Sequence, residues 1–266
     1  MGAWVMTPAE GTTRYGGFDL DGRVVVVTGG GGGLGGAMAR GIASAGAAVA
    51  VVDADVGRAE TVAADLERAG QRAIAVRVDV TERDSVRRMV ETVTAALGPI
   101  DGLVNSHGVT RRGAAVEYPL EEWERILAVN LTGTLLCCQA VGAGMLERGR
   151  GRIVNITSIA GHIGYRGAVA YAASKGGVVM LTRVLAVEWA RRGVHVNAIA
   201  PSWFETSWAS LVDAEPGYRE RVMARIPVGR FGQPDELAGA AIFLLSDAAS
   251  MVTGHVLAVD GGVLAS

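Results

Sequence analysis

The sequence predicts an α/β protein built on one doubly wound parallel sheet of about seven strands, with helices on both faces. Three observations lead there. Apolar runs alternate with helical patterns from Arg23 onward, a glycine-rich turn directly follows the first apolar run, and no composition shift, linker or internal repeat divides the 266 residues. Half of those residues are apolar, so a chain of this length can bury one large core.

Residues 1–17, with Pro8, Gly11, Gly16 and Gly17, are expected to form an irregular arm, and 18–266 a single domain. The continuous apolar run VVVVT at 24–28 marks a strand buried on both faces. A helix pattern starts at Leu34, and AVAVVD at 48–53 is the next strand. Further strands are expected at 73–78, 102–105, 152–156, 194–199 and 255–259, and helices near 56–69, 83–97, 121–148, 170–192 and 234–246. The stretch 200–233 has no obvious strand and carries Trp203, Phe204 and Trp208. It lies beyond a strand end, where ligands of open α/β sheets bind, so 202–225 is the expected substrate lid, with Trp203 and Trp208 as substrate contacts.

Composition narrows the partners to small molecules. The net charge of −2 comes from interspersed acids and bases, which leaves no basic footprint for nucleic acid or anionic lipid. No apolar stretch approaches the roughly 18 residues of a membrane span, and residues 1–17 lack the pattern of a secretory leader. A soluble, cytoplasmic protein is therefore expected. Cys137 and Cys138 are adjacent in a helical pattern and read as core residues, not as a disulfide or a metal site. His162, His195 and His255 have no spaced acidic or cysteine partners, so no metal is expected. His162 follows a strand end and is a surface residue or part of a pocket wall.

Two constellations carry chemistry. The first is Thr28-Gly29-Gly30-Gly31-Gly32-Gly33-Leu34-Gly35, between a strand and a helix. Glycines allow a tight turn and close backbone approach to a pyrophosphate, and the helix N-terminus offers unpaired N–H groups and a favourable dipole. Asp53, ending the next strand, can accept hydrogen bonds from both hydroxyls of a ribose, and a 2′-phosphate there would meet a like charge; the expected cofactor is NAD.

The second is Ser158, just past the strand at 152–156, with Tyr171 and Lys175 thirteen and seventeen residues on. Tyr171 and Lys175 are four apart and share a helix face. Alcohol oxidation needs a base for the hydroxyl proton, and an unperturbed tyrosine near pKa 10 is a poor one. Lys175 and a positive nicotinamide are expected to lower it, while Ser158 holds the reacting oxygen.

The spacing Thr-Gly-x-x-x-Gly-Leu-Gly, together with Ser158, Tyr171 and Lys175, resembles the short-chain dehydrogenase/reductase family from about Leu20 to the C-terminus. The resemblance implies a Rossmann-like fold and an oxidoreductase joining secondary alcohol and ketone. It implies further that Gly29, Gly33, Leu34 and Gly35 hold the cofactor pyrophosphate, that Asp79 and Val80 meet the adenine, and that Asn105 closes over the cofactor. By the same resemblance Pro201, Phe204 and Thr206 flank the nicotinamide with Tyr171 and Lys175, and Asn130 in VNLTGT fixes a helix bend and a water that relays protons from the lysine. Homotetramers or dimers formed through the helices of Asn130 and Tyr171 are also implied.

Two departures stand out. The family's Asn-Asn-Ala-Gly appears as Asn105-Ser106-His107-Gly108, which puts a ring where a methyl is usual: either the turn is adjusted or His107 points at cofactor or substrate. Its Pro-Gly appears as Pro201-Ser202. The segments GVTRRG, AIAPSWFET and RIPVGRFGQPDEL resemble gluconate 5-dehydrogenases and deoxygluconate dehydrogenases. The implied substrate is a polyol or sugar acid, with Arg111 and Arg112 either attracting a carboxylate or lying in a solvated loop. Rival readings are a 3-oxoacyl thioester or ring-ketone reductase and, from another class, a non-catalytic NAD-binding sensor.

Overall fold

The computed structural model describes residues 4–6, 13–206 and 217–266. Short strands β1 (Trp4–Met6) and β2 (Thr13–Tyr15) pair antiparallel, Trp4 opposite Tyr15, where an irregular arm is expected from sequence. Three-residue strands are too short for alternation to be legible beside so many turn-forming residues.

The remaining strands form one parallel sheet: β3 (Val24–Thr28), β4 (Ala48–Asp53), β5 (Ala73–Arg77), β6 (Gly102–Asn105), β7 (Gly151–Ile156), β8 (Val194–Pro201) and β9 (Val256–Val259). Their spatial order is β5-β4-β3-β6-β7-β8-β9, so the chain reverses direction of winding between β3 and β6. Every expected strand is present, with ends shifted by up to two residues.

The apolar run of β3 divides between the two sides of the sheet, as a period of two requires. Val25 and Val27 join the core formed with Met38 and Ile42 of α1 (Gly33–Ser44) and Leu244 and Leu245 of α8 (Ala238–Leu245). Val24 and Val26 join the core formed with Met89 and Val93 of α3 (Arg83–Leu97) and Cys138 and Met145 of α5 (Gly133–Arg148). Each such buried valine contributes about 1.5–3 kcal/mol relative to an exposed one, which is why neither face of the strand tolerates a polar residue. Helix α2 (Val56–Arg68) starts where the Asp55 carboxylate accepts from Arg58 N.

The helix expected at 121–148 has a break that sequence did not show. It is α4 (Leu120–Leu127), a π turn at Ala128–Thr132, and α5. The whole run Leu120–Arg148 is long and apolar enough by length and composition to cross a bilayer, contrary to the sequence reading. In the fold it is a core helix, with Ile126, Cys137, Cys138 and Met145 fully buried. Burial pushes both cysteine thiols up, Cys138 to about 12, as suits inert core residues.

Helix α6 (Val169–Trp189) carries Tyr171 and Lys175. In the stretch expected to lack strands, β8 runs on to Pro201, and Phe204 bridges Gly232; α7 is Tyr218–Met223. Trp208 and positions 207–216 of the expected lid lie outside the described residues.

Candidate active site

A cavity of about 740 Å³ opens at the carboxyl ends of β3, β4, β7 and β8 and beside β6, over the point where the sheet reverses its winding. Its two halves correspond to the two constellations of the sequence.

Gly29, Gly32, Gly33, Leu34 and Gly35 line one half. Gly29 has φ +64, and a Cβ there would lie 2.8 Å from the His107 backbone; a Cβ at Gly35 would lie 2.1 Å from Gly29 O. Only glycine fits either position. The N-cap of α1 is Gly32, which has no side chain to satisfy the first helical N–H groups, so the helix start is open to an anion. Asp53 lies on the wall, its Oδ2 accepting from Gly31 N at 3.1 Å and its Oδ1 from Asp55 N at 3.1 Å. Asp79 and Val80 line the same end. Asp79 accepts from Thr81 N and Oγ1 at 2.9 and 2.7 Å, which holds its carboxyl below the usual range. Pro201, Phe204 and Thr206 line the opposite wall, and Thr206 packs over Gly33.

One expectation changes here. Asn105 is absent from the lining: it is buried on the α5 side of the sheet, where Nδ2 donates to Asn155 Oδ1 at 2.9 Å and Cys138 Sγ at 3.3 Å. Strand alternation turns it inward, and Ser106, His107 and Gly108 form the wall instead. Arg58 of α2 packs against Gly31 and lines the cavity, although its guanidinium is paired with Asp55 at 3.2 Å.

Ser158, Tyr171 and Lys175 line the other half. Ser158 lies near enough to the Tyr171 phenol for its hydroxyl to act on the phenol's pKa. Ser158 Oγ also accepts from Ala160 N at 3.1 Å, which anchors it just past β7. Lys175 is buried, donates from Nζ to Ile156 O at 2.8 Å and lies 5.8 Å from the centre of the Tyr171 ring. Burial lowers its pKa to about 8. The expected lowering of the Tyr171 pKa by Lys175 is not what this geometry produces. Burial raises the phenol, the nearby Ser158 hydroxyl opposes that rise, and the ammonium is engaged with the Ile156 carbonyl.

Asn130 sits in the π turn, fully buried. Its Oδ1 accepts from Val109 N at 2.8 Å, and its Nδ2 donates to Val109 O at 3.0 Å and Ser174 Oγ at 3.0 Å. The His107 ring is buried and held by two hydroxyls: its Nδ1 is 2.6 Å from Thr28 Oγ1 and its Nε2 3.3 Å from Thr134 Oγ1. Burial and the charge of Lys175 lower its pKa to about 3. Ser202 keeps a negative φ and donates to Asp260 O at 2.9 Å, so the Pro-Ser pair needs no glycine.

At the substrate end Trp203 meets Tyr165 edge-on at 5.3 Å. Arg112 lines the cavity, 4.4 Å over the Tyr218 ring and bonded to its hydroxyl, whereas Arg111 turns to Glu122. His162 and His255 are exposed. Sequence missed Arg125 and Phe231 of the lining; Arg125 sits on an amphipathic helix and is paired with Glu122, a pattern that looks like any solvated helix face.

A seven-stranded nucleotide-fold sheet with Ser158, Tyr171 and Lys175 around a glycine-rich turn defines an oxidoreductase, and the chain belongs to the short-chain dehydrogenase/reductase family. The family model described as enoyl-(acyl carrier protein) reductase matches residues 30–264. The chain is 46% identical to a D-threitol dehydrogenase of Mycolicibacterium smegmatis, over 97% of this chain and 98% of that one. It is 40% identical to a 5-keto-D-gluconate 5-reductase of Escherichia coli, over 93% and 97%. A solved gluconate 5-dehydrogenase from Burkholderia cenocepacia, in complex with NADP and tartrate, superposes with a TM-score of 0.91 at 39% identity, covering 94% of this chain and 98% of that one.

Proposed function

We propose that the protein interconverts a secondary alcohol and a ketone on a polyol or sugar acid, using NAD(H), with Tyr171 as general acid/base. Ser158 and Tyr171, together on the wall of a cavity whose other end is the glycine-rich turn, carry this reading. The residues fit a nicotinamide dinucleotide: the open start of α1 suits the pyrophosphate, Asp53 a ribose, Asp79 and Val80 the adenine, and Pro201, Phe204, Thr206 and Lys175 the nicotinamide end. When bound, that group supplies the hydride acceptor or donor. Ser158 holds the reacting oxygen by a hydrogen bond, and Tyr171 exchanges a proton with it at the phenolic oxygen. Lys175, with a pKa of about 8, passes protons near neutral pH, and Asn130 holds the segment beside it. Trp203 and Tyr165 shape the substrate end, and Arg112 offers a cation to a carboxylate.

The preference for NAD(H) rests on Asp53, whose carboxylate repels a 2′-phosphate. NADP(H) is the second reading, favoured by Arg58 on the cavity wall and by the NADP in the Burkholderia relative. A homo-oligomer in the cytoplasm is proposed with it: α6 exposes Met180, Val184 and Val187 in one helical row, which a second copy would cover.

The test is an initial-rate screen of polyols, sugar acids and their ketones with both dinucleotides. Turnover of these substrates is expected. Dinucleotide binding without turnover of any of them, or of thioesters and ring ketones, would replace this reading with that of a non-catalytic sensor.

A further inference from the structure

His107 is a buried titratable ring beside the reacting groups that the reaction itself does not use. We propose that it is a positioning residue: as a fixed Nε2–H imidazole it ties the cofactor turn at Thr28 to the helix turn that carries Asn130. The assignment rests on the reading of the cavity as a dinucleotide-dependent dehydrogenase site.

Hydrogen-bond arithmetic sets the tautomer. Thr134 Oγ1 donates its only proton to Asn130 O at 2.8 Å, so the contact from His107 Nε2 at 3.3 Å has the ring donating and Thr134 accepting. Nδ1 is then the acceptor, and Thr28 Oγ1 donates to it at 2.6 Å in preference to Val104 O at 3.4 Å. A neutral ring satisfies every bond; a protonated one would set Nδ1–H against the Thr28 hydroxyl proton.

The bridge joins two parts of the site, the strand end at Thr28 and the helix start at Thr134. Thr28 immediately precedes Gly29, whose backbone is pressed against that of His107. Two residues beyond His107, the Val109 backbone is clamped at both its N–H and its C=O by Asn130. Segment 107–109 is therefore a strap pinned at one end through the ring and at the other through the backbone. It forms the cavity wall, and Gly108 between the pins lies beside Lys175 Nζ. Loosening the ring should displace the cofactor turn on one side and the Asn130 clamp on the other.

The test has two arms. Nitrogen-15 spectra of the imidazole are expected to show an Nε2–H neutral ring from about pH 8 to about pH 5. Titration of tryptophan fluorescence with NAD(H) and NADP(H) is expected to show His107→Ala and the isosteric Thr28→Val each weakening dinucleotide binding about tenfold, as loss of one buried hydrogen bond implies. His107→Asn, which keeps an acceptor toward Thr28, should restore binding. Thr134→Val should lower kcat and leave the dinucleotide Kd within about twofold. An Nδ1–H tautomer, a ring that titrates near pH 6.5, or His107→Ala and Thr28→Val proteins that bind like the parent would overturn the assignment alone. A parent chain that binds neither dinucleotide would overturn the reading of the cavity and this assignment with it.

Discussion

Asn130 holds Val109 by both of its backbone groups, accepting from its N–H at 2.8 Å and donating to its C=O at 3.0 Å. A side-chain amide carries its donor and its acceptor on separate atoms and so can do both at once, and the π turn at Ala128–Thr132 is what aims it there. Asn130→Ala leaves two part-buried backbone groups of Val109 without this partner. We expect a loss of about 1–3 kcal/mol in urea unfolding and about a 10²-fold drop in kcat, since the wall beside Lys175 is no longer held. A kcat within threefold of the parent would remove Asn130 from the mechanism.

Tyr171→Phe deletes the hydroxyl proposed to carry the acid/base proton and keeps the ring packing. Turnover should disappear while dinucleotide affinity stays nearly unchanged, and Ser158→Ala should cost roughly 10²-fold or more in rate. Steady-state rates beside a binding titration check both, and near-normal turnover in the phenylalanine variant would reject Tyr171 as the proton carrier.

Asp53 should discriminate between the cofactors. Its carboxylate repels a 2′-phosphate, and the nearest base, Arg58, is occupied by Asp55. A missing attraction and an added repulsion, each worth about 1–3 kcal/mol, give a preference for NAD(H) on the order of 10²-fold in kcat/KM. Asp53→Ala should narrow that gap. Equal or better use of NADP(H) by the parent would show that Arg58 swings onto the phosphate.

Acid should destabilise the fold through His107. Its folded pKa of about 3 lies below the unfolded value near 6.5, so between those limits the unfolded chain binds a proton that the native ring refuses. Stability contributed by the neutral ring is complete above pH 6.5 and falls as pH drops toward 3, at up to about 1.4 kcal/mol per unit. His195, whose pKa burial also lowers, adds in the same direction. Urea unfolding at pH 7 and pH 5 should show a smaller loss in His107→Asn than in the parent; equal losses would mean that the ring is protonated in the native state.

Arg112 should read the charge of the substrate. Arg112→Gln is expected to raise KM for a sugar acid about tenfold or more while leaving KM for an uncharged polyol nearly unchanged. Equal effects on the two substrates would leave Arg112 with only its packing against Tyr218.

The sheet was legible because its signals are local. VVVVT and AVAVVD announce strands with two buried faces, and the glycines between Thr28 and Gly35 announce the turn that follows. Tyr171 and Lys175 were legible for the same reason, since a spacing of four is one helical turn whatever surrounds it. Asn105 was misplaced because the face a strand-end residue takes depends on register with its neighbours, and the pairing with Asn155 turns it inward. The break at Ala128–Thr132 was missed because nothing in its composition distinguishes a π turn from regular helix.

By itself, then, the sequence determined the parallel sheet, the glycine-rich turn with Asp53, and the Ser158, Tyr171 and Lys175 set, all of which depend on spacing within single elements. Only the tertiary structure decided the fate of His107, the approach of Arg58 to the turn, the choice of Arg112 over Arg111 at the cavity, and the raised phenol of Tyr171. Each of these depends on burial or on a partner far along the chain, as Thr28 is 79 residues from His107, and such distances are set by packing rather than by local propensity.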